Sequence, residues 1–504
     1  MSQPSLTIRQ LTEPWAQSRR LGAAGLVAGL AADSRRVQPG WVFVAIPGYQ
    51  ADGHQFIPQA LERGAVTIVF SDPAAVALVP ASVTAVQVAD PRRVAAELAA
   101  AFYGHPSRAL RLVGVTGTSG KTTTALLLDS IARAAGLTTG VIGTLGTVVA
   151  GEERPGTHTT PDAIALQALL ADMRDRGVQH VSLEVSSHGL ALDRVWQCQF
   201  DGAIFTNLSQ EHMDFHPDLE DYYQTKRRLF TDYAELARPE KEMVGAVNLD
   251  DPVGERLARE ARCRVVTYGL EAPGAQVRAT GVESTRQGLR LALQFPGEAP
   301  LPLEMALLGR FNAANAVAAA ACCWALGEAP AAIGAGLENL RAVPGRFERV
   351  EAGQDFTVVV DYAHKPDALH HVLAAARALQ PRRVLCVVGC GGDRDRTKRP
   401  VMARIAAEEA DWALLTSDNP RTEDPLAILA EMVAGLPASA AGAAANYEVI
   451  PDRREAIFAA LRRCGPDDLL VIAGKGHEPY QIIGEQRFPF DDREVAREAL
   501  ETLR

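Results

Sequence analysis

The sequence has no CxxC cysteine pair, and its seven cysteines are an odd number scattered between Cys198 and Cys464. A disulfide framework or a structural zinc site is not expected, because both need paired or clustered thiols. We interpret the cysteines as small buried hydrophobic residues, which is usual in a reducing compartment such as the cytoplasm. A cytoplasmic protein is therefore predicted.

The sequence also lacks any run of 18 apolar residues, so no membrane span is predicted. The stretch 19–32 loosely resembles a twin-arginine export signal, but it is rich in glycine and alanine and runs directly into charged residues. Export is not expected on that basis. The alanine-rich stretch 313–326 is too short to cross a bilayer and predicts a buried helix.

A basic excess is missing as well. The chain carries 51 Lys and Arg against 61 Asp and Glu, for a net charge of −10, so no nucleic-acid partner is indicated. What is present is ordinary globular material: 47% of the 504 residues are hydrophobic. At roughly 150 residues per domain, this length predicts three domains.

Strand-like and helix-like patterns alternate along the chain, which predicts α/β domains with mostly parallel sheets covered on both faces. We predict a first domain at residues 1–108, ending at the turn-rich cluster 104–107, and a second at 109–343. The third, at 344–504, is predicted to be doubly wound and Rossmann-like. Within the first domain, the pattern predicts a helix at 91–102.

A glycine-rich loop separates the predicted strand 110–115 from the predicted helix 122–135, which is typical of a phosphate-binding loop. Its backbone N–H groups would hold phosphates, Lys121 would contact the outer phosphates, and the Thr122 hydroxyl would ligate Mg²⁺. The strict pattern fails because Val115 stands at the first glycine position. The loop predicts a nucleotide site, but a kinase, a GTPase, a motor and a ligase all fit it.

Polar residues follow the next two predicted strands. Glu184 ends the strand that begins at His180, and His212 and Asp214 come after the strand 202–206. Carboxyl ends of parallel strands share one edge of a sheet, so a Mg²⁺ site is predicted there, although each residue alone could be a cap or a satisfied polar group. Lys226 lies in a helical pattern and, on composition alone, is predicted to be a surface lysine.

Together these motifs resemble the Mur ligases, ATP-dependent amide-bond ligases of bacterial peptidoglycan synthesis. The resemblance covers essentially the whole chain and is carried by Gly117–Thr123, Glu184–His188, Thr206–Leu208, His212, Lys226, Gly309–Asn312 and Asp361–Pro366. It implies three domains that bind, in order, the UDP-sugar peptide, ATP on a central P-loop sheet, and the incoming amino acid.

The resemblance implies the nucleotide and metal sites in detail. The implied ATP-binding residues are Gly117, Thr118, Ser119, Gly120, Lys121, Thr122, Thr123, Asn312, His364 and Lys365. One Mg²⁺ is implied on Thr122 and Glu184. A second is implied near Glu184, His212 and Lys226, with Lys226 carbamylated into a carboxylate-like ligand. The implied catalytic residues are Lys121, Glu184, His212 and Lys226.

For UDP-N-acetylmuramoyl-L-Ala-D-Glu, the resemblance implies contacts with Ser34, Gln50, Ala51, Thr159, Thr160, Ser186 and Arg194. Three positions depart from the family pattern. Tyr49 stands where a histidine is common, His158 where an asparagine is common, and Leu192 where a glutamine is common. These departures bear on individual uridine and peptide contacts and leave the reaction intact.

The segment Asp418–Arg421 resembles the family's signature for meso-diaminopimelate. A guanidinium can hold the distal carboxylate, which lysine lacks. The implied diaminopimelate-binding residues are Arg394, Asp418, Asn419, Pro420, Arg421, Gly474 and Glu478. We therefore expect a monomeric ligase that joins this diamino acid to the D-glutamate carboxylate through an acyl phosphate. The alternatives are L-lysine or another diamino acid, a folylpolyglutamate synthase, and a P-loop switch.

Overall fold

The computed structural model describes residues 6–22, 24–48, 51–156, 158–238, 240–436 and 446–503. The chain divides into two compact units, which are Met1–Arg278 with Phe295–Glu298 and Asn315–Gly336, and Ala279–Gln294 with Ala299–Ala314 and Leu337–Arg504. In the part of the chain described, no helix has the length and apolarity to cross a membrane.

The first sheet has five strands in the order β1-β5-β4-β3-β2, all parallel except β1. Asp90 begins the third helix by accepting hydrogen bonds from the backbone N–H groups of Arg92 and Arg93. The elements of this region are β1 (Arg19–Arg20), β2 (Gly29–Ala31), β3 (Trp41–Val44), β4 (Thr67–Phe70), β5 (Thr84–Gln87), α1 (Ile8–Leu11), α2 (Ile57–Glu62) and α3 (Pro91–Phe102).

The second sheet carries the glycine-rich loop. Its strands are β6 (Arg111–Thr116), β7 (Thr139–Gly143), β8 (Gly146–Val149), β9 (Glu152–Arg154), β10 (His180–Glu184), β11 (Gly202–Phe205), β12 (Val244–Asn248), β13 (Arg264–Gly269), β14 (Val277–Ser284), β15 (Leu289–Gln294) and β16 (Leu301–Met305). Its helices are α4 (Lys121–Ala134), α5 (Ala163–Asp175), α6 (Ser187–Ala191), α7 (Leu219–Arg227), α8 (Asp232–Ala237), α9 (Gly254–Glu260), α10 (Arg310–Ala325) and α11 (Pro330–Asn339).

Within the first unit, strand β6 lies between β10 and β11 and is parallel to both. Both neighbours come later in the chain, so their loops leave the carboxyl edge on either side of the loop after β6. This is the topological switch point at which open parallel sheets bind ligands. Every residue of β10 and β11 is buried, and β11 accordingly reads as a continuous apolar run, whereas β10 also carries the polar His180, Ser182 and Glu184.

The third sheet lies in the second unit, in the order β17-β18-β22-β19-β20-β21, and is parallel except for β17. Its elements are β17 (Glu348–Arg349), β18 (Thr357–Asp361), β19 (Val384–Cys390), β20 (Trp412–Ser417), β21 (Tyr447–Val449), β22 (Leu469–Ala473), α12 (Pro366–Ala378), α13 (Lys398–Glu409), α14 (Pro425–Val433), α15 (Arg453–Arg463) and α16 (Asp492–Thr502). A separate hairpin pairs β23 (Tyr480–Ile483) with β24 (Gln486–Pro489).

The order of the third sheet brings three loops together, because β22, β19 and β20 are neighbours. Their carboxyl ends lead into residues 391–394, 418–421 and 474–478, which include every residue predicted for diaminopimelate. The predicted α/β class with parallel sheets is confirmed. The domain boundaries at 108 and 343 stay predictions.

Candidate active site

The loop between β6 and α4 depends on two glycines in positive-φ conformations, Gly117 at 149° and Gly120 at 87°. A Cβ atom on Gly117 would lie 1.9 Å from Thr206 Oγ1, and one on Gly120 would lie 2.4 Å from Asn315 Oδ1. Only glycine adopts these angles freely and leaves this space open. The turn therefore has its shape because of its own sequence.

Residues after β11 fasten this loop from the side. The backbone N–H of Thr118 donates to the Asn207 carbonyl at 2.9 Å, and the N–H of Ser119 donates to Asn207 Oδ1 at 2.9 Å. Thr206 Oγ1 donates to the Ser119 carbonyl at 2.6 Å. The Thr206–Asn207 segment thus holds the phosphate loop in place. The sequence indicated this segment only as part of a family motif and predicted no role for it. Thr123, in the first turn of α4, is buried beneath it.

Two lysines meet at a single carbonyl oxygen. Lys121 Nζ and Lys226 Nζ each donate to the Gly117 carbonyl at 2.9 Å, and Lys226 is only 1% exposed. Burial, together with the charge of Lys121, lowers the pKa of Lys226 well below its usual value. The prediction of a surface lysine from composition is wrong. A neutral, buried amine is the form that can add to CO₂ and give a carbamate.

Glu184 lies at the end of β10 and is buried beside the loop. Its Oε2 accepts a hydrogen bond from Thr122 Oγ1 at 3.0 Å, and its Oε1 accepts one from the N–H of Thr144 at 2.9 Å. A Cβ on Gly143 would lie 2.1 Å from Glu184 Oε1, so that glycine makes room for the carboxylate. A hydroxyl and a carboxylate together are hard oxygen ligands that fit Mg²⁺.

His212 belongs to a group of rings that the sequence did not reveal. It has φ of 60°, and its ring centroid lies 4.9 Å from that of His188. Buried His216 pairs through Nδ1 with Asp221 Oδ2 at 2.7 Å and lies 4.9 Å, ring to ring, from Tyr222. Burial lowers the pKa of His188. In the sequence, the one sign of this ring cluster was the pair of histidines four residues apart, at 212 and 216.

No three His, Cys, Asp or Glu side chains within the described ranges are grouped closely enough to hold a metal ion. A metal site at this edge would therefore draw on Thr122, Glu184 and a carbamylated Lys226. The two-ion arrangement remains a prediction.

Four of the residues predicted for the sugar peptide lie together beside Glu184. Thr160 Oγ1 donates to the Glu184 carbonyl at 2.8 Å and lies 3.0 Å from Ser186 Oγ. Arg194 Nη1 donates to the Thr160 carbonyl at 2.9 Å. Thr159 is linked to this group by Thr144, because the Oγ1 atoms of the two threonines lie 3.0 Å apart. A carboxylate bound here would lie near the phosphate loop.

Ser34 and Ala51, which are also predicted for the sugar peptide, lie in the first sheet's region. Ser34 is buried and donates to Gln59 Oε1 at 2.6 Å, and Ala51 is exposed. Gln50 and Tyr49 lie outside the described residues. A cavity of about 150 Å³ joins this region to the second sheet, with Arg92 on one side and Leu192 and Arg194 on the other.

Three residues predicted for ATP belong to the second unit. Asn312 is buried and donates through Nδ2 to the Leu308 carbonyl at 2.8 Å. The Nδ1 atom of His364 lies 2.9 Å from the Tyr362 carbonyl, and burial lowers the pKa of His364. Lys365 begins α12. Their contact with ATP stays a prediction.

A polar triad forms at the carboxyl edge of the third sheet, with Asn419 and Lys475 buried and Glu478 partly buried. Asn419 donates through Nδ2 to Glu478 Oε2 at 2.9 Å, while Lys475 Nζ donates to Asn419 Oδ1 at 3.1 Å and lies 3.5 Å from Glu478 Oε2. Asp418 lies close to Gly474, because a Cβ on that glycine would be 2.7 Å from Asp418 Oδ2. Lys475 was not predicted, although it stands between two predicted residues.

Arg421 and Arg394 both lie against a glycine of the loop after β19. A Cβ on Gly391 would be 2.9 Å from Arg421 Nη1 and 3.8 Å from Arg394 Cγ. Arg421 Nη1 donates to the Gly392 carbonyl at 2.7 Å. Arg421 also has φ of 51°, a left-handed conformation that costs a non-glycine residue roughly 1–3 kcal/mol. Such strain is concentrated at functional sites. Pro420, just before it, accepts the Glu423 N–H through its carbonyl.

A buried ion pair, also missed from the sequence, supports these loops from below. Arg453 pairs with Asp492 through Nη2 and Oδ2 at 2.7 Å, and neither side chain is exposed. The same guanidinium donates to the carbonyls of Ser417 at 3.3 Å and Ala473 at 3.0 Å. It therefore ties the end of β20 to the end of β22. No local pattern in the sequence marks Arg453 for this position.

Three family models match the chain in consecutive segments. The model described as Mur ligase family, catalytic domain, matches residues 26–103. The Mur ligase middle domain matches residues 115–323, and the Mur ligase, glutamate ligase domain, matches residues 345–476.

Individual proteins resemble the chain over nearly its full length. A UDP-N-acetylmuramoyl-L-alanyl-D-glutamate--2,6-diaminopimelate ligase of Geobacillus thermodenitrificans is 45% identical over 95% of this chain and 96% of its own length. A solved structure of a ligase with the same name has a TM-score of 0.71 at 32% identity and covers 99% of both chains. A MurF ligase of Thermotoga maritima in complex with ADP, with a TM-score of 0.62, covers 94% of this chain and 98% of its own; at 19% identity it shows the fold alone.

Proposed function

This chain belongs to the Mur ligase family, and from that premise we propose that it joins 2,6-diaminopimelate to the D-glutamate carboxylate of UDP-N-acetylmuramoyl-L-alanyl-D-glutamate, with ATP as the co-substrate. The full-length relatives carry the name of this reaction. The observation in the fold that supports it most directly is the charge pattern at the carboxyl edge of the third sheet, in the second unit.

The two arginines form a cationic end of this edge, and Glu478 forms an anionic end. Arg421 and Arg394 lie against Gly391, while Glu478 lies within the Asn419 and Lys475 triad. The far end of diaminopimelate carries one carboxylate and one ammonium group, so it complements both ends. A guanidinium and a carboxylate form a charge-assisted, bidentate pair. Lysine would leave the arginines without that partner, and sites built for a polar group reject analogues that lack it.

The first unit has the parts needed to activate a carboxylate. The phosphate loop and Lys121 would hold the terminal phosphates of ATP at the N-terminus of α4. The cluster of Thr160, Ser186 and Arg194 would hold the D-glutamate carboxylate close to that loop. Attack of a carboxylate oxygen on the γ-phosphorus then gives an acyl phosphate and releases ADP.

Mg²⁺ fits the oxygens at this edge and, when bound, would supply neutralisation of phosphate charge. Thr122 and Glu184, joined at 3.0 Å, would hold it. Burial lowers the pKa of Lys226 and so favours its neutral form, which supports carbamylation. The carbamate would add a further oxygen ligand, with His212 on the same edge of the sheet.

The second unit would hold the amine for the second half of the reaction. Its neutral nitrogen attacks the acyl carbon, a tetrahedral oxyanion forms, and collapse of that oxyanion expels phosphate and leaves the amide. The oxyanion is stabilised by nearby positive charge. With the distal end gripped by Arg421 and Glu478, the amine at the other end of diaminopimelate is free to react.

The decisive experiment measures product formation with meso-diaminopimelate, L-lysine and L-ornithine offered in parallel, each with ATP and the UDP-sugar dipeptide. We expect an amide product and stoichiometric phosphate release with diaminopimelate only. Activity with lysine alone would overturn the specificity. Phosphate release that ignores the amino acid would instead support a P-loop switch.

A further inference from the structure

The β23–β24 hairpin makes a set of hydrogen bonds to the Asp418–Arg421 loop. Gln481 Nε2 donates to the Asp418 carbonyl at 2.6 Å, and the Ile482 N–H donates to Asn419 Oδ1 at 2.9 Å. The Arg421 N–H donates to the Ile482 carbonyl at 3.0 Å, and the Gly484 N–H donates to the Arg421 carbonyl at 2.7 Å. Two successive hairpin positions, Gln481 and Ile482, and one turn glycine, Gly484, are thus engaged with the loop.

These contacts enclose the strained residue. The hairpin binds Arg421 through both its N–H and its carbonyl, so the peptide groups before and after the left-handed residue are each fixed. Without such partners, a non-glycine residue at φ of 51° would relax toward a right-handed or extended conformation. Relaxation would swing the guanidinium away from Gly391 and Gly392.

The hairpin is otherwise poorly buried. All four residues of β24 are exposed, and Ile483 and Phe488 are large apolar side chains in contact with solvent. An isolated two-stranded hairpin is at best marginally stable in water. Its attachment to the 418–421 loop therefore works in both directions: the loop orders the hairpin, and the hairpin orders the loop.

We propose that the Tyr480–Pro489 hairpin is the element that sets the amino-acid specificity, with Gln481 as a positioning residue that keeps Arg421 aimed at the distal carboxylate. This inference rests on the proposed function and deepens it. Gln481 does not need to touch the amino acid. Its amide acts through the Asp418 carbonyl, three residues before Arg421.

The test compares two glutamines of the same hairpin. Gln481→Met removes the amide donor and keeps a side chain of similar length, whereas Gln486→Met makes the same change on exposed β24. For both variants and the unaltered chain, KM and kcat are measured for diaminopimelate, ATP and the sugar dipeptide. Utilisation of L-lysine and the unfolding temperature are measured as well.

For Gln481→Met we expect KM for diaminopimelate to rise about tenfold and the preference for diaminopimelate over lysine to fall by a similar factor, because a neutral hydrogen bond contributes up to about that much. The unfolding temperature of this variant should fall by no more than a few degrees. Its KM for ATP and all values for Gln486→Met should stay unchanged. An unchanged KM for diaminopimelate, or an equal rise in KM for ATP, would overturn the inference. If the unaltered chain makes no product from diaminopimelate, the proposed function itself fails, which is a different result.

Discussion

The two ligand loops of this protein place their backbone strain on different residues. The phosphate loop puts its positive φ angles on Gly117 and Gly120, where they cost little. The amino-acid loop puts one on Arg421, where the conformation is unfavourable and must be held by other residues. The first loop can therefore form from its own sequence, while the second depends on distant partners.

The supporting contacts follow the same division. The phosphate loop is fastened mainly by the short segment Thr206–Asn207, which follows an adjacent strand, with a further hydrogen bond from Lys226 on α7. The amino-acid loop is fastened by the hairpin, by Arg453 on α15 and by the Lys475 triad. A general nucleotide site can be carried by a local motif, whereas a site that must choose between similar amino acids is assembled from several separated segments.

The largest expected effect lies in the phosphate loop. Lys121→Met should lower kcat on the order of 10⁴-fold, because the cation that neutralises the transferred phosphoryl group is lost. Rapid-mixing assays of product formation would measure this, with the free energy of unfolding followed by urea titration. Unchanged product formation would refute the ligase assignment, and a large loss of stability would mean that the lysine is mainly structural.

The next effect tests whether the buried Arg453–Asp492 ion pair stabilises the unit that carries the amino-acid loop. Arg453→Met leaves Asp492 buried without its partner and should lower the free energy of unfolding by about 3 kcal/mol. The double variant Arg453→Met with Asp492→Leu removes both charges and should recover much of that loss. If the single and double variants are equally destabilised, the ion pair is not the cause.

The sequence alone predicted the phosphate loop well because its chemistry lies in one contiguous stretch. Helix α3 was predicted with the bounds that the structure has, and α4 within one residue at each end. Lys226 was misread from composition, since nothing local shows that it points at Gly117. Arg453 and the hairpin were missed because their roles come from contacts between segments far apart in the chain.

A third effect separates the strain on Arg421 from its charge. Arg421→Gly and Arg421→Ala should both lower kcat/KM for diaminopimelate on the order of 10²-fold, since both remove the charged hydrogen bonds. The glycine variant should be about 1 kcal/mol more stable than the alanine variant, because glycine accepts the left-handed conformation. KM for ATP should stay near its original value in both.

The comparison of these two variants has a clear opposing result. Equal stability of the glycine and alanine variants, measured by urea unfolding, would mean that Arg421 carries no strain in solution. Equal loss of ATP and amino-acid affinity would mean that the arginine is structural. Either result would remove the difference drawn between the two loops.

The smallest effect concerns the turn of the hairpin. Gly484 has φ of 60°, and a Cβ there would meet no atom within 4 Å, so Gly484→Ala introduces backbone strain without a clash. We expect it to cost about 1 kcal/mol and to raise KM for diaminopimelate a few-fold, because its N–H binds the Arg421 carbonyl. Gly136, after α4, also has a positive φ and open space, so Gly136→Ala is the matched control. Gly136→Ala should cost the same stability and leave KM for diaminopimelate unchanged. If KM for diaminopimelate rises in both variants, the amino-acid loop responds to a general loss of stability and not to its hairpin.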